Sequence, residues 1–273
     1  MNSQHTPRPG AAEIIAYVAL AIALCFIVAS PGILGVLNEE LSATLVPLAQ
    51  LTPLIATIPF IALLRRRSTP QGEPVKVADL LALRWRGSMP WTCLGVGAVA
   101  AIAATQLVAG LAVGWQFNPP ELISIAIFAV APFLLLQSVF AFGEETGWRG
   151  WLVTRTQHLG FPAMAAISAV AWTLFHIPAV LIFNFETPQM IAYLASIASW
   201  APFLVALRLA SGSVWPVVFA HGAINSVRVF FLQSVATADG PTTIGGVDWA
   251  VEALGIALWV GAGWWLYSRT RRR

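Results

Sequence analysis

The sequence predicts an all-α polytopic membrane protein with about eight transmembrane helices, and three observations carry that expectation. Of 273 residues, 58% are hydrophobic types and only 10% are charged, where a soluble domain carries roughly a quarter charged residues. Apolar stretches near the roughly 20 residues that a spanning helix needs recur from one end of the chain to the other. Leu, Ala, Ile and Val come in long unbroken runs without period-two alternation, so helices rather than a barrel must satisfy the backbone.

The first stretch, Ile14–Leu34, has Glu13 at its edge and no small-residue cleavage site, so a retained span is expected rather than a removed signal peptide. The second, Thr44–Leu64, runs into Arg65, Arg66 and Arg67, and the polar segment Arg65–Pro90 that opens with RRRSTPQGEP reads as a loop. Trp91–Val113 and Leu122–Phe142 are the third and fourth spans, the fourth ending where AFGEETGWRGW begins to introduce charge. Pro162–Phe183, Met190–Leu207 and Ser213–Leu232 follow. ATADGPTTIGG then reads as a loop before the eighth span, Trp249–Tyr267. No internal repeat divides the chain, which is expected to form one integral-membrane domain over residues 1–273.

Lys and Arg near span ends are retained in the cytoplasm. With an inside N-terminus the inner segments hold Arg8, then Arg65, Arg66, Arg67, Lys76, Arg84 and Arg86, then Arg149 and Arg155, then Arg208, and finally Arg269, Arg271, Arg272 and Arg273. The outer segments carry Glu39, Glu40, Glu121, Glu186, Asp239 and Asp248 and no Lys or Arg; only Arg228 falls inside a span. Both termini are therefore expected in the cytoplasm, with the chain in a cell (inner) membrane. The sequence pI of about 9.3 comes from this collar, which suits anionic headgroups and does not imply a nucleic-acid partner. Cys25 and Cys93 lie in spans at unrelated depths, which offers neither a disulfide framework nor a thiolate metal site.

An ionised group inside a bilayer costs about 2.5–3.5 kcal/mol on insertion scales, so each one needs a partner or a purpose. Glu144, Glu145, Arg149, His176, His221, Asn225, Arg228 and Glu252 make up the set. On a continuous helix Glu145 and Arg149 are i,i+4 and share a face, whereas Glu144 lies about 100° round and stays free of that pair. The plain alternative is a structural salt bridge with Glu144 merely solvated. His176 alone would most often be a packing histidine. His221 and Asn225, also i,i+4, would alone be interhelical glue, with Arg228 close to the same stripe. Taken together they match the parts of a hydrolase. A carboxylate kept from bulk water serves as general base, an imidazole orients the water, and a second imidazole with an amide N–H meets an oxyanion. A metal reading uses Glu144, His176 and His221 as zinc ligands, although HExxH is missing and no Cys is placed to substitute.

These residues resemble the CAAX protease and bacteriocin-processing family (CPBP), which includes the type II CAAX prenyl endopeptidases. Glu144, Glu145 and Arg149 match its EExxxR motif. Trp172 and His176 match an aromatic residue four before a histidine, and His221 and Asn225 match HxxxN, led in by GSVWPVVFA. Order and spacing agree over about Phe140–Ser226, so the core motifs fall within 140–226. The resemblance implies an eight-span intramembrane endopeptidase whose site opens toward the cytoplasm. Glu144 and His176 would activate water, His221 and Asn225 would stabilise the oxyanion, and Glu145 with Arg149 would support the site. Members are commonly named metalloproteases, yet a metal-free glutamate mechanism is also argued for them, so zinc and no cofactor both stay open. The implied partner is a membrane-associated peptide or lipid-anchored protein within the bilayer. The competing readings are a non-cutting immunity or scaffold member of the same fold and a proton-coupled transporter. Transporters often show paired broken helices, and the sequence shows no such pairing.

One geometric conflict arises. From Pro162, His176 lies about 21 Å along its helix, whereas Glu144, just past the drawn end of the fourth span, sits at the inner surface. The two meet if the fourth helix starts several residues later than drawn and the fifth begins outside the bilayer, which the apolar run Trp148–Val153 permits.

Overall fold

A computed structural model describes residues 9–66, 76–237 and 246–271. Arg8, Arg67, Asp239, Arg272 and Arg273 lie outside the described residues, as do most of RRRSTPQGEP and ATADGPTTIGG.

Among the described residues, eight helices are long and apolar enough to cross a membrane: Ala11–Ile33, Glu39–Arg65, Met89–Ala112, Pro120–Leu159, Phe161–Ile182, Thr187–Ser211, Trp215–Val235 and Asp248–Thr270. The chain is thus an all-helical multi-pass membrane protein. Its only sheet among the described residues is the antiparallel pairing of Gln116–Phe117 with Ala236–Thr237. Local chemistry sets the helix ends. Asn38 caps the second span by accepting from the Leu41 amide. Glu186 and Gln189 form a reciprocal capping box at the start of the sixth, and Gly212, at φ 67°, closes it in the left-handed conformation that glycine adopts without strain.

The sixth span packs against the fifth and eighth, the seventh against the fourth and third, and the first against the second. This order brings the three motif-bearing spans, the fourth, fifth and seventh, around one interior.

The fourth span departs most from expectation. It starts at Pro120, slightly earlier than drawn, and runs on to Leu159 as a 40-residue rod, so the helix is lengthened rather than shifted. Hydropathy ends a span where charge begins. Here the charged stretch is enclosed by protein, and every residue from Gly143 to Val153 is buried. Glycines make that enclosure possible. A Cβ on Gly143 would lie 2.7 Å from the Gln50 carbonyl oxygen, one on Gly147 2.5 Å from Pro53, and one on Gly150 2.7 Å from the Leu81 oxygen. By contrast, Leu122, Ile125, Phe128, Leu135 and Val139 are exposed along the first half of the rod and suit lipid.

The lengthening resolves the conflict in depth. Glu144 stands fifteen positions before Leu159 and His176 fifteen after Phe161, so both lie roughly 22 Å from the turn at Gly160. Between them and that turn the interior is solid. Tyr17, Phe60, Trp148 and Trp151 pack ring against ring, with centroids 5.7–6.1 Å apart.

Candidate active site

Each motif-bearing helix is irregular beside its site residues. The fourth span changes to π-helical winding over Thr146–Leu152, directly after Glu145. The fifth breaks at His176, between the helices Phe161–Phe175 and Ile177–Ile182, because Pro178 has no N–H to continue the ladder. The seventh winds as a π-helix over Ile224–Arg228, which includes Asn225. Such turns are frequent at functional sites, since they re-aim side chains that a regular helix would stack.

Glu145 and Arg149 pair as their spacing predicts, Nη1 donating to Oε1 at 3.0 Å, with both side chains fully buried. The same Oε1 also accepts from His221 Nδ1 at 2.7 Å. Glu145 therefore ties the fourth span to the seventh, a link no sequence spacing reveals. The Arg149 guanidinium lies 4.1 Å from the centroid of the Trp172 ring, a desolvated cation–π contact.

Glu144 is fully buried rather than exposed at the inner surface. Its Oε2 accepts the indole N–H of Trp172 at 2.6 Å, while Oε1 has no protein hydrogen-bond partner. The backbone carbonyl of Trp172 holds His176 Nδ1 at 2.7 Å. A carbonyl only accepts, so Nδ1 carries the hydrogen, and the other nitrogen, Nε2, is left for the cavity that His176 lines. The Trp172 ring also stands edge-on to both imidazoles, with centroids 5.3 Å from His176 and 5.2 Å from His221. Trp172 is thus the hub of the cluster. The sequence marked it only as an aromatic at the right distance from a histidine.

Asn225 Nδ2 donates to Gln137 Oε1 at 3.3 Å. Gln137 was missed from sequence, and its signal was available: a lone amide in an apolar run, seven residues before Glu144 and so near the same helix face. Arg228 does not join the His221–Asn225 stripe. At the end of the π-turn it reaches Glu252 at 3.6 Å and lies over Trp200 at 5.3 Å, while Ser196 donates to the other Glu252 oxygen at 3.0 Å.

Glu144, His176, His221, Asn225 and Gln137 all line one cavity of about 280 Å³. The rest of its wall comes from Cys25 and Ala29 of the first span, Ala43 to Gln50 of the second, Ile182 and Phe183 closing the fifth, and Tyr193 of the sixth. All of these lie toward the end of the bundle opposite the described basic residues Arg84, Arg86, Arg155, Arg208 and Arg269. Cytoplasmic termini and a cytoplasmic mouth are both expected from sequence, and this placement sets the cavity and the cationic collar toward opposite ends of the bundle.

The arrangement gathers a carboxylate, two imidazoles and an amide around one cavity, groups of the kinds that serve as base and hydrogen-bond donors in acyl-transfer chemistry. The fit to a metal is poorer. Both imidazoles are anchored through Nδ1, as ligands often are, yet among the described residues no three His, Cys, Asp or Glu side chains converge closely enough to hold an ion. Cys25 and Cys93 are free thiols.

A family model described as type II CAAX prenyl endopeptidase Rce1-like matches residues 126–227. That stretch contains Gln137 and all three motifs, and the match supports the CPBP resemblance and, at the level of the family, protease activity. No curated protein matches the chain.

Proposed function

We propose, with the CAAX-protease match as the premise, that this chain is an intramembrane endopeptidase. It would cut a peptide bond in a membrane-associated peptide or lipid-anchored protein by a glutamate-dependent mechanism. The observation that carries the reading is the division of labour within Glu144, a residue that lines one cavity with His176, His221 and Asn225: Oε2 is held by Trp172 and Oε1 has no protein partner.

In this mechanism a water at Oε1 gives one proton to Glu144 as its oxygen attacks the scissile carbonyl carbon, and His176 Nε2 accepts a hydrogen bond from the water's other hydrogen. The carbonyl oxygen becomes an oxyanion. The first donor to it is a hydrogen on His221 Nε2, the nitrogen opposite the one that meets Glu145. Glu145 holds that imidazole from behind, and the Asn225 amide supplies the second donor. Collapse of the intermediate breaks the C–N bond as Glu144 returns its proton to the leaving amine, which releases a carboxylic acid and an amine. No step needs a metal ion, consistent with the donor geometry.

Glu144→Gln tests this. The amide keeps the shape and still accepts from Trp172 but takes no proton, so cleavage should cease while folded protein stays in the membrane. Unchanged cleavage would remove the hydrolase reading, and a protein that never cuts in wild type would favour the scaffold alternative.

A further inference from the structure

The cavity lies toward the end of the bundle away from the cationic collar. On the collar side, Gly143 to Val153 is buried throughout and the Tyr17–Phe60–Trp148–Trp151 cluster fills the interior. On the other side, Ala43, Val46 and Pro47 are partly exposed and Phe183 is exposed, and all four line the cavity that reaches Glu144. Among the described residues, the exposed charges beyond that rim are Glu39, Glu40, Glu121 and Glu186, with no Lys or Arg in the connecting segments there. The described cations instead gather at the far end, at Arg84, Arg86, Arg155, Arg208, Arg269 and Arg271. Since cations near span ends are retained in the cytoplasm, the mouth faces away from it.

We infer that the site is served from the non-cytoplasmic face, and that its substrate is a segment already carried across or anchored at the outer leaflet, apolar where it enters and neutral or basic in its flank. The acidic rim draws a cationic flank toward the mouth and repels an acidic one. The position of the mouth is independent of the proposed hydrolysis, whereas the word substrate rests on it.

In a background with Cys25→Ala and Cys93→Ala, single cysteines are placed at Ala43, on the cavity wall, and at Arg86, in the collar. Membrane-impermeant thiol reagents are then added to right-side-out and inverted membrane vesicles. Ala43→Cys should react in right-side-out vesicles and Arg86→Cys only in inverted ones. At Ala43→Cys a cationic reagent should outpace an anionic one of similar size by several-fold, relative to their rates with a free small thiol. Reaction of Ala43→Cys only in inverted vesicles, or in neither, would overturn the assignment, as would a faster anionic reagent. Peptide termini that differ between cells carrying wild type and Glu144→Gln should map to non-cytoplasmic segments, and termini in cytoplasmic segments would contradict the inference. An absence of differing termini would end the substrate clause together with the hydrolase reading, while the labelling would still decide where the mouth lies.

Discussion

Trp172 donates its indole N–H to Glu144 Oε2 at 2.6 Å, and this contact makes the two oxygens of one buried carboxylate unequal. One is fixed, and the other has no protein partner. The same residue holds His176 through its carbonyl and faces Arg149 with its ring, so base, imidazole and structural cation share a single support.

Trp172→Phe keeps an aromatic ring and removes the N–H. A hydrogen bond to a charged group is worth about 1.5–3 kcal/mol, so kcat should fall roughly ten- to a hundred-fold with KM nearly unchanged, because the bond positions the base and touches no substrate. Steady-state kinetics on purified protein would show it; a rise in KM at constant kcat would place Trp172 in binding instead.

Glu145 serves two partners through one oxygen. Glu145→Ala strands a buried guanidinium, and breaking such a pair costs about 3–5 kcal/mol. The variant should unfold at clearly lower temperature in detergent and lose activity. Glu145→Leu combined with Arg149→Met should recover part of the stability but not the activity, because His221 still lacks the oxygen that anchors Nδ1. Recovery of both would mean that Glu145 acts only as a counter-ion.

Glycine spacing should matter as much as charge. A Cβ at Gly147 would fall 2.5 Å from Pro53 and 2.6 Å from the Tyr17 hydroxyl, whereas at Gly97 nothing lies within 4 Å. Overpacking costs about 1–3 kcal/mol, so Gly147→Ala should lower the unfolding temperature and displace Glu144 enough to impair turnover, while Gly97→Ala should match wild type in both. Equal behaviour of the two variants would contradict the close packing of the fourth span.

These cases mark what the sequence could disclose. Eight spans were legible because hydropathy measures what lipid tolerates, and Glu145–Arg149 was legible because i,i+4 is a local relation. The continuation of the fourth span to Leu159 was not, since its charges and aromatics are satisfied by protein rather than lipid. The links from Glu145 to His221 and from Trp172 to Glu144 join residues 76 and 28 positions apart, and no periodicity reports them. The π-turn that sends Arg228 to Glu252 instead of to the site has no sequence signature either.

The donor reading of Asn225 separates the metal-free route from a zinc one. Asn225→Ala should reduce turnover on the order of 10²–10³ with little change in binding, since the oxyanion exists only along the reaction path. Gln137→Leu, which removes the acceptor that orients Asn225, should cost less. Metal analysis of purified wild type, His221→Ala and Asn225→Ala should show no bound zinc that depends on His221. Stoichiometric zinc lost on His221→Ala would favour the metal reading.

The most direct test of the account compares membrane peptides by mass spectrometry in cells carrying wild type or Glu144→Gln at matched amounts of folded protein. The account predicts cleavage products present with wild type and absent with the variant. The same products at the same abundance in both would contradict it, because the only proton acceptor proposed for the attacking water would then be dispensable.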